Sequence, residues 1–338
     1  MPPPENRALD DPWSRSGSIP LDGAFERAAL PPWLAMLIAL VGGIVLFQFF
    51  IAPIALVVLI VLSGVSPADL LDALPTMATD FFPQFLVANT IGQFLAIGLP
   101  AVIIARFSSS RVRSFLRIRR VDWTLMVLSL LAFVALIPVV QWLGEMSSSL
   151  PWPSWVEELE SMMLEPLNRV LEDTSRLPIN LFMIALTPAI CEELLFRGYV
   201  QRQAERTVGA RWGIIATGVI FGMYHLQPTK LLPLAVLGIY LGYLVWRTGS
   251  LLPAAAVHFA NNGFAVMLGY VAAKRTDLTL ADLESVTVPW YLAVGALVVF
   301  SAIVYLMNRV APARTPATER LVDPASVGVH FGSPPTVD

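Results

Sequence analysis

The stretch PINLFMIALTPAICEELLFRGY, residues 178–199, decides the fold. It is apolar over most of its length and carries Glu192, Glu193 and Arg197 near its far end. A bilayer's hydrocarbon core is crossed by about 20 apolar residues in a helix, and this run is long enough. Ionisable groups inside such a run are costly, so they face a bundle interior or a water-filled cavity and mark function. Helix spacing sorts the three groups. Glu193 and Arg197 are four apart, on one face, in the favourable acid-before-base order. Glu192 lies about 100° around the helix from Glu193. One carboxylate thus has a built-in partner and the other has none. Glu193–Arg197 reads as the supporting pair and Glu192 as the working group.

Outward from this stretch the same pattern repeats. The chain has 338 residues, 56% of them hydrophobic and 14% charged, against about 25% charged in globular proteins. The reading is an all-α polytopic membrane helix bundle of about eight transmembrane helices. The expected spans are Trp33–Leu62 (interrupted by Pro53), Phe85–Ile104, Trp123–Leu143, Ile179–Tyr199, Trp212–His225, Leu231–Trp246, Leu251–Ala272 and Trp290–Met307. Pro188 bends the fourth, because a proline frees a backbone carbonyl one turn back. Gly213, Gly218 and Gly222 permit close helix approach along the fifth. Residues 1–30 read as a flexible cytoplasmic tail with room for one surface helix, without the apolar core and cleavage site of a signal peptide. Residues 31–177 hold the N-terminal membrane helices and a loop, 145–178, whose mixed apolar and acidic pattern fits an interfacial amphipathic helix. Residues 178–270 form the core around the charged motif, 271–310 the last membrane helix, and 311–338 a disordered cytoplasmic tail.

Arginine and lysine placement sets the orientation. With the N-terminus inside, sixteen basic residues fall on inner segments, among them Arg106, Arg111, Arg113, Arg117, Arg119 and Arg120, and five on outer ones. The bias puts both termini in the cytoplasm. Trp33, Trp123, Trp142, Trp212, Trp246 and Trp290 fall at span ends, as interfacial anchors do. No basic domain or nucleic-acid motif is present, and the apolar spans make the lipid bilayer the expected surroundings. The single cysteine, Cys191, excludes an internal disulfide and a cysteine-based zinc cluster.

Three helices hold the chemistry. Beside Glu192 and Glu193 stand His225, at the end of the fifth span, and His258 with Asn262, four apart on one face of the seventh. A lone membrane histidine can simply bond a neighbouring helix, and Asn262 alone can be interhelical glue. Two glutamates, two histidines and an asparagine in three nearly uncharged helices point instead to one site. Burial tunes a carboxylate towards general-base work near neutral pH. A neighbouring histidine can share the water, and a second histidine with an amide can donate to a developing oxyanion. That set suits hydrolysis of a peptide bond. In the alternative, Glu192, His225 and His258 ligate zinc, with the water in the open position. The ordinary zinc-protease His-Glu-x-x-His, the Gly-x-Ser-x-Gly elbow and the P-loop are all absent.

Glu192-Glu193-x-x-x-Arg197, Phe221-x-x-x-His225 and His258-x-x-x-Asn262, in that order, resemble the three-motif pattern of the CPBP family. These are the CAAX-processing and bacteriocin-processing (Abi) intramembrane endopeptidases. The resemblance covers residues 178–270. It implies about eight spans with a site sunk in the bilayer and open to the cytosol. It implies that Glu192 and His225 activate the water, and that His258 and Asn262 stabilise the oxyanion or help hold the site. Glu193 and Arg197 are implied to support it. The family is commonly described as metalloproteases, and a metal-free glutamate mechanism has also been argued for it. The resemblance implies a protein or peptide substrate, and the chain reads as an integral protein of a bacterial cytoplasmic membrane. Two other classes compete: a catalytically silent scaffold of the same fold, and a proton-coupled transporter, which inverted repeats would support and for which none is found.

Overall fold

The computed structural model describes residues 19–70, 80–162, 176–274, 287–310 and the pair 321–322. Residues 1–18, the stretches 71–79, 163–175 and 275–286, and most of the segment 311–338, His330 included, lie outside the described residues. The chain is an all-α bundle. Its long elements are α1 (Pro32–Leu62), α2 (Phe82–Ser108), α3 (Trp123–Ser148), the short α4 (154–162), α5 (Leu177–Val208), α6 (Ala210–Tyr224), α7 (Leu231–Thr248), α8 (Leu252–Lys274) and α9 (Trp290–Val310). The described strands are β1 (Ile19–Pro20) and β2 (Leu321–Val322), which pair in parallel.

Each expected span is present as a helix, but among the described residues six are long and apolar enough to cross a membrane: α1, α2, α3, α5, α9 and the helix of α7 with its preceding turn, Pro228–Thr248. The count of about eight is therefore not reached on these grounds. The physical reasons differ. α6 has 15 residues, which at 1.5 Å each span about 22 Å, short of a ~30 Å hydrocarbon layer. α8 is long enough, yet His258, Asn261 and Asn262 dilute its apolarity. Both helices carry site residues, so the shortfall falls where the chemistry is.

Prolines shape the long helices. α1 widens into a π-helical segment at Leu46–Ile51, two residues before Pro53. α2 does so at Gln93–Gly98, two residues before Pro100. α5 does so at Leu181–Leu186, two residues before Pro188. A proline lacks an N–H and its ring collides with the carbonyl four residues back. Locally wider hydrogen bonding absorbs both faults without ending the helix. Pro53 thus leaves α1 a single helix. A fourth π-helical segment, Leu194–Val200 in α5, precedes no proline and lies directly after Glu193. Pro138 sits inside α3 without such a segment, and nothing in the structure explains the difference.

α5 runs nine residues past Tyr199, because its polar continuation finds partners. Arg206 makes two 2.8 Å bonds to Glu26, Gln203 bonds Ser108 and Tyr199, and Arg117 bonds Glu205 from the arginine-rich loop. These contacts reach into the described part of the stretch expected to be a flexible tail, residues 19–30. In its described part, Ile19 is buried, Ser109 donates to the Pro20 carbonyl, and Ala24–Arg27 forms a helical turn tied down by the Glu26–Arg206 pair. The expected amphipathic helix of the 145–178 loop appears at 154–162, and the rest of that expectation lies outside the described residues.

Two apolar cores flank the centre. One gathers Ala39, Ile97, Ala101, Leu195, Phe196 and Phe221 from α1, α2, α5 and α6. The other gathers Leu136, Leu241, Ala254, Val257 and Met307 from α3, α7, α8 and α9. Leu194 packs against both. The charged motif of α5 therefore sits where the two cores meet.

Candidate active site

α5 presents Glu193 to the bundle. Its Oε1 accepts from Arg197 Nη1 at 2.8 Å and from His258 Nδ1 at 2.8 Å. Arg197 is fully buried, and its Nη2 donates to the Gly238 carbonyl of α7 at 3.2 Å. That carbonyl is in reach because α7 presses on α6 at Gly238: a Cβ there would lie 2.8 Å from the Gly218 carbonyl oxygen. The guanidinium also stands over the Phe221 ring, 4.2 Å from its centroid, a cation–π contact strengthened by desolvation. Arg197 thereby ties α5, α6 and α7 together.

Phe221 joins the histidines. Its ring meets His225 at 4.7 Å and His258 at 5.7 Å, both edge-on. Its carbonyl lies 2.8 Å from His225 Nδ1. A carbonyl can only accept, so Nδ1 carries the proton and Nε2 is the nitrogen left for other chemistry. The same logic holds for His258, whose Nδ1 donates to the Glu193 carboxylate. His258 Nε2 then points at Glu192, with Nε2 to Oε2 at 3.9 Å. That Oε2 is buried and has no hydrogen-bond partner in the protein.

The structure thus brings Glu192, Glu193, Arg197 and His258 into one contiguous group, with His225 attached through Phe221. Glu192 and His225 make no direct hydrogen bond or ion pair; the histidine nearest Glu192 is His258. Asn262 lies one helical turn beyond His258, and its Nδ2 donates to the Ile184 carbonyl at 3.3 Å. Ile184 is the residue whose carbonyl an amide at position 188 would bond in a regular helix, and position 188 is proline. Asn261 Nδ2 in turn donates to Asn262 Oδ1 at 3.1 Å. Asn262 therefore serves the α5 backbone with one of its two N–H groups.

Among the described residues no three His, Cys, Asp or Glu side chains stand close enough as arranged to hold a metal ion together. His258 and His225 each donate Nδ1 to a neighbour and keep Nε2, the usual pattern of a histidine that ligates a metal. Glu192 Oε2 and His258 Nε2, 3.9 Å apart, are the close pair of the expected ligand set, and His225 does not join them. Cys191, next to Glu192, is buried and faces α2, where a Cβ on Gly98 would lie 3.0 Å from its Sγ. It is a packing residue.

Residues 174–264 match the Rce1-like family, described as type II CAAX prenyl endopeptidase Rce1-like. The matched stretch holds all three motifs and agrees with the CPBP/CAAX resemblance. It supports an intramembrane endopeptidase within an integral membrane protein. No curated protein and no solved structure matches the chain.

Two features escape motif reading. One is that Glu193 orients His258 as well as pairing with Arg197. The other is the use of the Gly238 and Ile184 carbonyls as partners. Pro188 signalled the Ile184 carbonyl, since a proline names the carbonyl it frees; the Gly238 carbonyl of α7 has no such signal. The first has no local signal, because Glu193 and His258 are 65 residues apart.

Proposed function

We propose that the chain is an endopeptidase that cleaves a peptide bond within or beside the membrane, with Glu192 as the general base. The observation that carries this reading is the Glu192 carboxylate, its Oε2 buried and unpaired in the protein, 3.9 Å from the Nε2 of a histidine anchored by Glu193. A water at hydrogen-bond distance, about 2.8 Å, from both atoms fits over a base of that length. Its proton passes to Glu192 as its oxygen attacks the substrate carbonyl. The carbonyl oxygen becomes an oxyanion, and the proton then goes to the leaving amine as the C–N bond breaks. His258 orients the water, and His225 acts on the reacting peptide from the other side of Phe221. Asn262 holds the bend in α5 and keeps one N–H for the oxyanion. Glu193 and Arg197 keep the cluster together.

In this reading the end of the bundle that carries Glu26, Arg117 and Arg206 faces the cytosol, following the arginine bias, and the membrane is a bacterial cytoplasmic one. Substrates of the CAAX type, or other peptides with an apolar or lipidated C-terminus, fit a site reached from the bilayer.

The test is proteolysis by the full chain in liposomes on lipidated and apolar C-terminal peptides, with and without a zinc chelator. Cleavage by wild type is expected to persist under chelator. In Glu192→Gln it is expected to fall by about 10²–10⁴, the usual contribution of a general base, with an unchanged thermal midpoint. Cleavage that survives Glu192→Gln overturns the assignment. Loss under chelator replaces the metal-free mechanism with a metal-dependent one. A chain that cleaves nothing, yet supports growth equally with and without Glu192, is a scaffold.

A further inference from the structure

We infer that Glu160 is a positioning residue for His225, an inference that rests on the endopeptidase reading. α4 docks through two residues one turn apart: Val156 and Glu160 are buried, while Trp155, Leu159 and Met162 on its other faces are exposed. A buried carboxylate on a short peripheral helix is costly unless its oxygens are bonded. Both are. Oε1 accepts from the Thr229 backbone N–H at 2.9 Å and Oε2 from the Thr229 hydroxyl at 2.6 Å. Thr229 is buried in the turn Pro228–Lys230, four residues after His225.

The chain between them is under strain. Leu226, directly after His225, has φ of 55°, the left-handed region that is unfavourable for a non-glycine residue. The end of α6 at His225 is closed by bonds from His225 N to Gly222 O at 3.3 Å and from Leu226 N to Met223 O at 3.1 Å. Pro228 gives no N–H to the reversal. Such a conformation persists only where its surroundings over-determine it. On the near side, the Phe221 carbonyl fixes the His225 ring. On the far side, the two bonds from Thr229 to Glu160 fix the turn. The carboxylate of α4 therefore clamps the segment whose first residue is His225, and it lies outside the stretch that the three motifs span.

The experiment uses the full chain in detergent, with Glu160→Ala, Glu160→Gln and Thr229→Val. Glutamine keeps an acceptor for the Thr229 N–H and can donate to its hydroxyl, so it preserves the clamp without the charge. In Glu160→Ala, kcat is expected to fall about tenfold or more with KM little changed, the sign of a lost reaction geometry. Glu160→Gln should restore kcat to within about threefold, and Thr229→Val should fall between the two. The second readout needs no activity: the His225 ring nitrogen resonances, assigned with His258→Gln and His330→Gln variants, should move in Glu160→Ala and stay in Glu160→Gln. A kcat for Glu160→Ala within about threefold of wild type, or unmoved His225 resonances, overturns the inference. Should Glu160→Ala fail to fold, Thr229→Val decides by the same two readouts. If wild type cleaves no peptide, the endopeptidase reading falls on that arm alone, and the His225 resonances still decide whether Glu160 holds the ring.

Discussion

Glu193 and Arg197 show how much one buried pair can be asked to do. The sequence gives their i,i+4 spacing and hence their contact. It does not show that the same carboxylate oxygen also holds His258, because that contact is made only once α8 packs against α5. Removing Arg197 leaves a carboxylate uncompensated in the bundle centre, and breaking such a pair typically costs about 3–5 kcal/mol. Arg197→Ala should therefore lower the thermal midpoint sharply. Glu193→Ala should do the same and lower activity as well, since His258 loses its orienting partner. Replacing the pair with apolar residues of similar volume, as in Glu193→Leu with Arg197→Met, should cost less stability than either single loss, because no charge is then stranded. Thermal scanning of the four proteins in one detergent checks this. A double variant as unstable as the sum of the singles would show that the two residues act separately.

The prolines carry the argument at the scale of the helix. That Pro188 disturbs α5 is legible in the sequence. That the helix answers by widening over Leu181–Leu186, and that Asn262 of α8 bonds the carbonyl of Ile184, is not, because both depend on a neighbouring helix. This places Asn262 between two roles, backbone support and oxyanion donor, and a suppressor separates them. Asn262→Ala takes a hydrogen bond from a part-buried carbonyl, at a cost of about 1 kcal/mol. Pro188→Ala gives position 188 an N–H again, so the Ile184 carbonyl no longer needs the asparagine. If support dominates, Pro188→Ala with Asn262→Ala should recover most of the stability and activity that Asn262→Ala alone loses. If the amide acts on the substrate, stability should return and cleavage should not. Thermal midpoint and kcat, measured on the four variants, read the two roles independently.

The arrangement of the whole molecule is constrained by its two ends. Apolar runs identify most of the bundle directly, but they fall short for α6, which is short, and for α8, which carries polar groups including the buried His258. The pairing of Ile19–Pro20 with Leu321–Val322 puts the segment before α1 and the segment after α9 together. Beside them are Ser109, Arg206 and the arginine-rich loop. Ends on one side require an even number of crossings. The six helices that pass on length and apolarity satisfy this, and so do eight with α6 and α8 counted. In the proposed orientation that side is the cytosolic one. The only cysteine is buried, so Cys191→Ala provides a clean background for single cysteines at exposed positions. Ser110→Cys and Val208→Cys, at the arginine-rich end, should react with a membrane-impermeant maleimide only after the vesicle or cell is opened from the cytosolic side. Leu150→Cys, just past the other end of α3, and Met162→Cys, the last described residue of α4, should react in intact cells. Labelling of all four from one side would break the even-crossing arrangement. The reverse pattern would keep the bundle and invert it, placing the Glu26–Arg206 pair outside and Glu160 with its clamp on the cytosolic face.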